Sequence, residues 1–359
     1  MGQANIPLNI AVVAEQQSSY LQLGYSEEDC AALTHKGEVH AVTNTLKQLG
    51  HNVTHVSGVQ PLVQQLAAGN HKDWDMVFNM AQGFHGSARE SQVPALLESY
   101  QIAYTFSDAA TMALCQNKAN TKIILHHHQI PTAPFLVVPA HESPEDFPKY
   151  SGKLPSYPLF LKPVTEGSSK GISDLNKVTE PAELEVALQK LSIKFPGQDI
   201  LIESFLPGRE YSISILGTGP ACRVIGIREL IWQKERRSGS KHIEQDFATR
   251  KSKSSTSDQI VYNDFHDEAD PEIQAASQVA LAAWRVLGCR DAGRVDIRFD
   301  AHEPCATPNI LEVNPISGLL PVHSPLPGSA ESNGISYDQL LTGIIESTLQ
   351  RIKKRNHGG

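Results

Sequence analysis

The sequence predicts a mixed protein, parallel α/β in its first third and α+β beyond it. Two observations carry this. Strand and helix patterns alternate regularly as far as about residue 106, the rhythm of a parallel sheet covered by helices. Beyond that, short apolar strands come in pairs separated by turns, with helical stretches between the pairs. The clearest pair is "RVDIRFDAHEPCATPNILEVNP", Arg294 to Pro315, which reads as strands Val295–Phe299 and Asn309–Val313 around a polar turn.

In the first unit, "LNIAVVAE" is a strand centred on Ile10–Ala14, too short and too poor in basic residues for a signal peptide. "EVHAVTNTLKQLG" is a helix stopping at Gly50. "HNVTHV" is a strand, "PLVQQLAAG" a helix with proline at its start, and "DMVFNM" a buried strand. "QVPALLESY" gives a further helix and "IAYTF" a further strand, closing a domain of about 110 residues.

A second unit opens with the helical "NKANTKIILHHHQI" and the strand in "PTAPFLVV". "PAHESPEDFPKYSGKLPSYP" reads as a loop. "LFLKPV" is a strand, "EGSSKGIS" a glycine and serine turn, and "PAELEVALQKL" a helix. "DILIESFLPGREYSISILG" gives two strands broken at Pro207 and Gly208. The third unit holds a long polar stretch after Ile231, long enough to suggest a functional or a disordered loop. A helical stripe follows at Ile273, Ala276, Ala280, Trp284 and Leu287, and a last one at Leu341, Ile344, Thr348 and Ile352.

Composition narrows the function. A hydrophobic content of 40%, a charged content of 19% and a net charge of -8 describe an ordinary globular protein and argue against non-specific nucleic-acid binding. No apolar run approaches a membrane span. The five cysteines lack CxxC spacing, which predicts reduced thiols in a cytoplasm. No GxGxxG follows the first strand, and there is no GxxxxGK[ST], so neither a dehydrogenase nor a P-loop protein is indicated. His126, His127 and His128 are consecutive on a helix and face different ways, which disfavours a metal site.

Three stations carry chemistry. On the Arg294–Pro315 pair, alternation puts Arg294 with Asp296 and Glu312 with Asn314. Their oxygens would converge if the strands pair, and oxygen-only ligation suits Mg²⁺. Lys162 ends an apolar strand, and a buried ammonium there needs an anionic partner. The turn after it can direct backbone N–H groups and hydroxyls at phosphate. In "LIESFLPGREYSI", a strand end at Glu203 leads through Phe205 and Leu206 to Glu210, a hinge whose backbone can read an adenine edge.

"FLKPVTEGSSKGIS", "IESFLPGREYSI", "GCRDAGRVDIRFD" and "ILEVNPISGLLPVHS", in this order, resemble the ATP-grasp superfamily, most closely the D-alanine–D-alanine ligases. The resemblance implies an ATP-grasp fold. Its parts would be an N-terminal parallel, Rossmann-like domain (1–112), a small central α+β domain (113–205) and a C-terminal α+β domain with metal site and mobile lid (206–359). It implies that ATP phosphorylates a carboxylate, which an amino-acid amine then attacks. Lys118 and Lys162 would hold the nucleotide phosphates, Ser168 and Ser169 the covering loop, with Ser168 also near the first substrate. Glu203, Phe205 and Leu206 would form the adenine hinge and Glu210 would hold the ribose. Asp296, Glu312 and Asn314 would ligate two Mg²⁺ ions, with Mn²⁺ as a substitute. Arg294 and the Gly318 backbone would hold the oxyanion, and Ser324 the second substrate's carboxylate. The partners implied are small molecules, an amino acid and a carboxylate-like acceptor, and a second copy in a homodimer.

The family's short acidic and serine motif after the first strand is replaced by "EQQSSYLQLGYSEEDCAALTHKGEVHAV". Glu15, Glu27, Glu28 and Glu38 all stand as candidates for the first substrate's ammonium. The family's HG pair gives way to "AQGFHGSARE". This pattern, an intact ATP half with an altered acceptor half, suggests the same chemistry on another acceptor. Relatives that attach an amino acid to a mycosporine core, a vinylogous acid, are of this type. A nucleotide-binding regulatory protein with a decayed site is the competing reading. Lys162, Arg294, Asp296, Glu312 and Asn314 together favour the enzyme.

Overall fold

The computed structural model describes residues 6–142, 144–232, 246–247, 260–267 and 269–357. Strands β1 (Asn9–Val13), β2 (Asn52–Val56) and β3 (Met76–Asn79) form a parallel sheet ordered β2-β1-β3. Helices α1 (Gln17–Gln22), α2 (Lys36–Gln48), α3 (Val59–Ala67) and α4 (Gln92–Ser99) complete this unit. The apolar strands β1 and β3 are buried on both faces, as a covered parallel sheet requires. The predicted "IAYTF" strand contributes only one bridge, Val77 to Tyr104. It stops there because Phe106 turns to a φ of 72° and gives its amide to the Asp291 carboxylate at 2.8 Å.

Helices α5 (Ala109–Gln116) and α6 (Lys118–His127) lead into the second unit. Asn117 caps α6 by accepting from the Asn120 amide (2.9 Å), which fixes Lys118 as its first residue. Strands β4 (Phe135–Val138), β5 (Leu159–Pro163), β6 (Lys177–Val178) and β7 (Ile200–Ser204) make an antiparallel sheet ordered β4-β7-β5-β6, backed by α7 (Pro181–Lys194). Part of the predicted loop after β4 is a 3₁₀ stretch, Pro144–Lys153, whose Phe147 enters the core of this unit.

The third unit is an antiparallel sheet ordered β10-β9-β8-β11-β12, from β8 (Glu210–Leu216), β9 (Arg223–Trp232), β10 (Ile260–Asn263), β11 (Ala292–Phe299) and β12 (Pro308–Asn314). Helix α8 (Pro271–Val286) lays the predicted stripe on it. Ile273, Ala276, Ala280 and Trp284 are buried, and Trp284 Nε1 donates to the Gly217 carbonyl at 3.1 Å. Helices α9 (Pro325–Ser332) and α10 (Tyr337–His357) close the chain. Leu326, Leu340, Leu341, Ile344 and Ile345 pack in one core with Ile10, Val12 and Phe78 of the first sheet.

Asp291 joins these parts. Fully buried, it accepts from the Phe106 amide, Ser347 and Thr348 hydroxyls at 2.8 Å, and Arg351 at 2.7 Å.

Candidate active site

The predicted Arg294–Pro315 pair forms, and its register sets where the acidic residues lie. Arg294 faces Asn314 and Asp296 faces Glu312 across β11 and β12. A bulge after Asp296 then pairs Ile297 with Ile310, so Leu311 is the extra residue. Asp296 is held from both sides. One oxygen accepts from Ser212 (2.6 Å), and the other from Asn314 Nδ2 (3.1 Å) and Arg294 (3.2 Å). Asp296, Glu312 and Asn314 thus occupy neighbouring positions on two paired strands. The donor set is all oxygen and suits a hard cation.

A cleft between the second and third sheets brings together Lys118, Lys162, Ser169, Glu203, Phe205, Leu206, Glu210, Asp296 and Glu312, nine residues named from sequence. Lys118 Nζ lies 3.3 Å from Glu312 Oε2 and donates to the Glu166 carbonyl at 2.6 Å. Glu210 accepts from Arg298 (3.2 Å), whose guanidinium also stacks 4.8 Å from the Phe205 ring. Ser168 does not line the cleft. It and Ser169 both have left-handed backbones, φ 51° and 56°. Arg294 and Asn314 adjoin through Asp296. Gly318 and Ser324 lie together in the turn before α9, where Ser324 Oγ accepts from the Leu320 amide (3.1 Å).

At the hinge, the Glu203 carboxylate is buried between Lys162 Nζ (2.6 Å) and Lys122 Nζ (2.8 Å). Burial pushes this carboxyl up, but the two ammonium groups outweigh it and hold it below the usual range. Burial pushes the Lys122 ammonium down. The Phe205 amide is also committed, to the Pro158 carbonyl at 2.8 Å, so Phe205 offers its ring and not its N–H. That ring and those of Phe160 and Phe247 lie 5.1–6.4 Å apart and form an apolar, aromatic wall along the cleft.

Of the four acidic candidates at the acceptor end, Glu15 and Glu38 are buried. Glu15 accepts from the amides of Gly83 (3.0 Å) and Val59 (3.3 Å), and Glu38 from that of Leu319 (2.7 Å). Burial raises both carboxyls despite these amides. Glu28 instead pairs with Lys194 near the surface at 2.6 Å, and Glu27 is exposed. Glu90, part-exposed as a residue, has its carboxyl enclosed beside the cleft. Burial pushes it up to about 7, although Arg89 and Lys118 act to lower it.

Lys122, Arg298, Phe160, Leu311 and Phe247 were missed from sequence. Lys122 sits one helical turn from Lys118, and Arg298 follows Arg294 and Asp296 at the same alternation, so both signals were present. Leu311 reaches the cleft only through the bulge. The predicted lid after Ile231 falls largely outside the described residues, of which Asp246 pairs with Lys177 and Phe247 lines the cleft. His126, His127 and His128 are exposed, and the described residues include no cluster of three or more His, Cys, Asp or Glu that could hold a metal.

Comparison with known proteins identifies the family. Residues 124–346 match the family model described as D-ala D-ala ligase C-terminus. The D-alanine–D-alanine ligase of Xanthomonas axonopodis pv. citri is 29% identical over 328 residues, 91% of this chain and 92% of that protein. That of Actinobacillus pleuropneumoniae serotype 5b is 30% identical over 310 residues, 85% and 90%. The crystal structure of D-alanine–D-alanine ligase from Bacillus anthracis superposes with a TM-score of 0.70 at 20% identity, covering 97% of this chain and 99% of that one. Its complex with ATP gives a TM-score of 0.69. The chain therefore belongs to the D-alanine–D-alanine ligase family and has its ATP-grasp fold.

Proposed function

We propose that this protein is an ATP-dependent carboxylate–amine ligase whose reaction runs in the cleft between the second and third sheets. The observation that carries the reading is the convergence on one cleft of two lysines, Lys118 and Lys162, with the strand carboxylates Asp296 and Glu312. Phosphate is met by the ammonium groups and the covering loop, the ribose by Glu210, and the base by the Phe160–Phe205–Phe247 wall. Asp296, Glu312 and Asn314 have the oxygen donors to hold Mg²⁺. Two such ions, when bound, supply charge neutralisation for phosphoryl transfer.

The chain's own residues then order the steps. The acceptor's oxygen attacks the γ-phosphorus, ADP leaves, and an acyl phosphate forms. The amine attacks the acyl carbon, Arg294 and the Gly318 amide hold the oxyanion, and phosphate departs. Ser324 receives the carboxylate of the attacking amino acid, and Ser168 stands at the first substrate. Glu15 is our choice for the acceptor end, because it is buried at the end of β1 with its oxygens already oriented by two amides. The acceptor class is a carboxylate or its vinylogous equivalent, a mycosporine core included, since the sequence departs from its relatives at this end. A homodimer in the cytoplasm is proposed on family likeness and on the unspaced cysteines.

The test is a panel of amino acids and acceptors, D-alanine among them, read by phosphate release and product mass. Magnesium-dependent ATP binding with no product across the panel would favour the regulatory reading. No Mg-dependent ATP binding by calorimetry would refute both.

A further inference from the structure

The covering loop after β5 carries two serines in left-handed backbone, Ser168 and Ser169. Such conformations are unfavourable for residues other than glycine and persist only where the surroundings impose them. Part of that constraint comes from the first unit. Arg89 Nη2 donates to the Thr165 carbonyl at 3.0 Å and lies 3.6 Å from Glu166 Oε2, with both side chains nearly buried (11% and 8% exposed). Glu166 lines the cleft, takes Lys118 on its carbonyl, and accepts from Gln198 at 2.5 Å. A second bridge, Lys170 to Asp29 at 3.7 Å, is more exposed and contributes little.

Arg89 is itself seated by the acceptor end. Gly83 has a φ of +64°, and a Cβ there would run into the Arg89 carbonyl oxygen and Cβ. The Gly83 amide donates to Glu15. The contacts thus run without a break from Glu15 through Gly83 and Arg89 to Thr165 and Glu166. They use the stretch "AQGFHGSARE".

We propose that Arg89 is a positioning residue that holds the phosphate-covering loop in its strained form and ties that form to the acceptor end at Glu15. Its effect on turnover rests on the ligase reading; its effect on the loop does not. One nitrogen, Nη2, makes both contacts, so Arg89→Lys keeps the charge but must meet them from a side chain of different shape and length.

The experiment compares the full-length wild type with Arg89→Met and Arg89→Lys by hydrogen exchange, with and without ATP–Mg²⁺, and by phosphate released per ligated product. In Arg89→Met the amides of 165–171 should exchange at least about tenfold faster, with β1–β3 unchanged. Phosphate released per product should rise above one as water reaches the intermediate, and Arg89→Lys should lie between the two. Wild-type loop exchange in a folded Arg89→Met overturns the proposal. Should Arg89→Met not fold, Arg89→Lys decides: faster loop exchange supports the proposal, and wild-type exchange leaves Arg89 a purely structural residue and overturns it. A wild type that binds nucleotide but ligates nothing sinks the ligase reading alone, and the exchange comparison still decides the role of Arg89.

Discussion

Lys162 Nζ lies 2.6 Å from Glu203 Oε1, and Lys122 Nζ takes the other oxygen of the same carboxylate. One buried anion therefore balances two buried cations, and only Lys162 and Glu203 of the three line the cleft. Glu203→Gln should leave that charge uncompensated and cost about 3–5 kcal/mol, read by denaturant unfolding. The ion pairs hold the Glu203 carboxyl below its ordinary value. Its contribution is present above the usual carboxylate range and is lost as pH falls through the folded value. A loss below about 1 kcal/mol would mean that the lysines are not both charged.

Glu312 offers the test of the metal reading. Glu312→Gln keeps shape and hydrogen bonding but removes the charge facing Lys118. Turnover should fall by two or more orders of magnitude, about 3 kcal/mol of barrier, with the melting temperature little changed. A folded, active variant removes Glu312 from the proposed ligand set.

Arg294 separates ligation from nucleotide binding. Arg294→Lys keeps the charge beside Asp296 but loses the fork. Product formation should drop roughly 10²-fold, as when one oxyanion donor is lost. ATP affinity, measured by calorimetry on the same sample, should hold, because Arg294 does not line the nucleotide cleft. Equal losses in both would make Arg294 a residue of the nucleotide site.

Glu90 predicts a pH dependence of the ligand-free protein. Its carboxyl titrates at about 7 when folded, against an ordinary value of 4.5. The folded state holds the proton that the unfolded chain has lost. The stabilisation is therefore complete below 4.5 and falls away as pH rises through 7. Between those limits the wild type's melting temperature should decline relative to that of Glu90→Gln. Parallel curves would show that the carboxyl is ionised throughout.

The parts of the site that lie on strands were legible because a two-residue period assigns faces without knowledge of the rest. Asp296, Glu312 and Asn314 came together as the alternation requires. Lys162 found the anionic partner that burial demands in the side chain of Glu203, whose backbone belongs to the expected hinge. That partner could not be named in advance, because pairing between β5 and β7 sets it. Arg89 was hidden for the same reason. A lone arginine in a glycine-containing loop says nothing until the second unit is laid against the first. Leu311 depends on one inserted residue in a ladder, which no periodicity announces. The 3₁₀ stretch at Pro144–Lys153 read as a loop because its prolines and serines are turn residues, and the burial of Phe147 is what orders it.

The first sheet shares its core with the last two helices, and Asp291 pins α10 beneath it. This bears on the order in which a ribosome delivers the chain. Strands β1–β3 emerge first, and Val39, Val42 and Leu46 of α2 meet the face of Ile10, Val12 and Phe78, but the rest of its cover arrives only when Leu340–Ile345 have left the exit tunnel. At synthesis rates of about 5–20 residues per second, that core waits many seconds for its last side. The N-terminal unit of this ligase therefore forms before its core is complete. It is finished last, when the C-terminal helix arrives, and a nascent chain stalled before α10 should be bound by chaperones through its earliest strands.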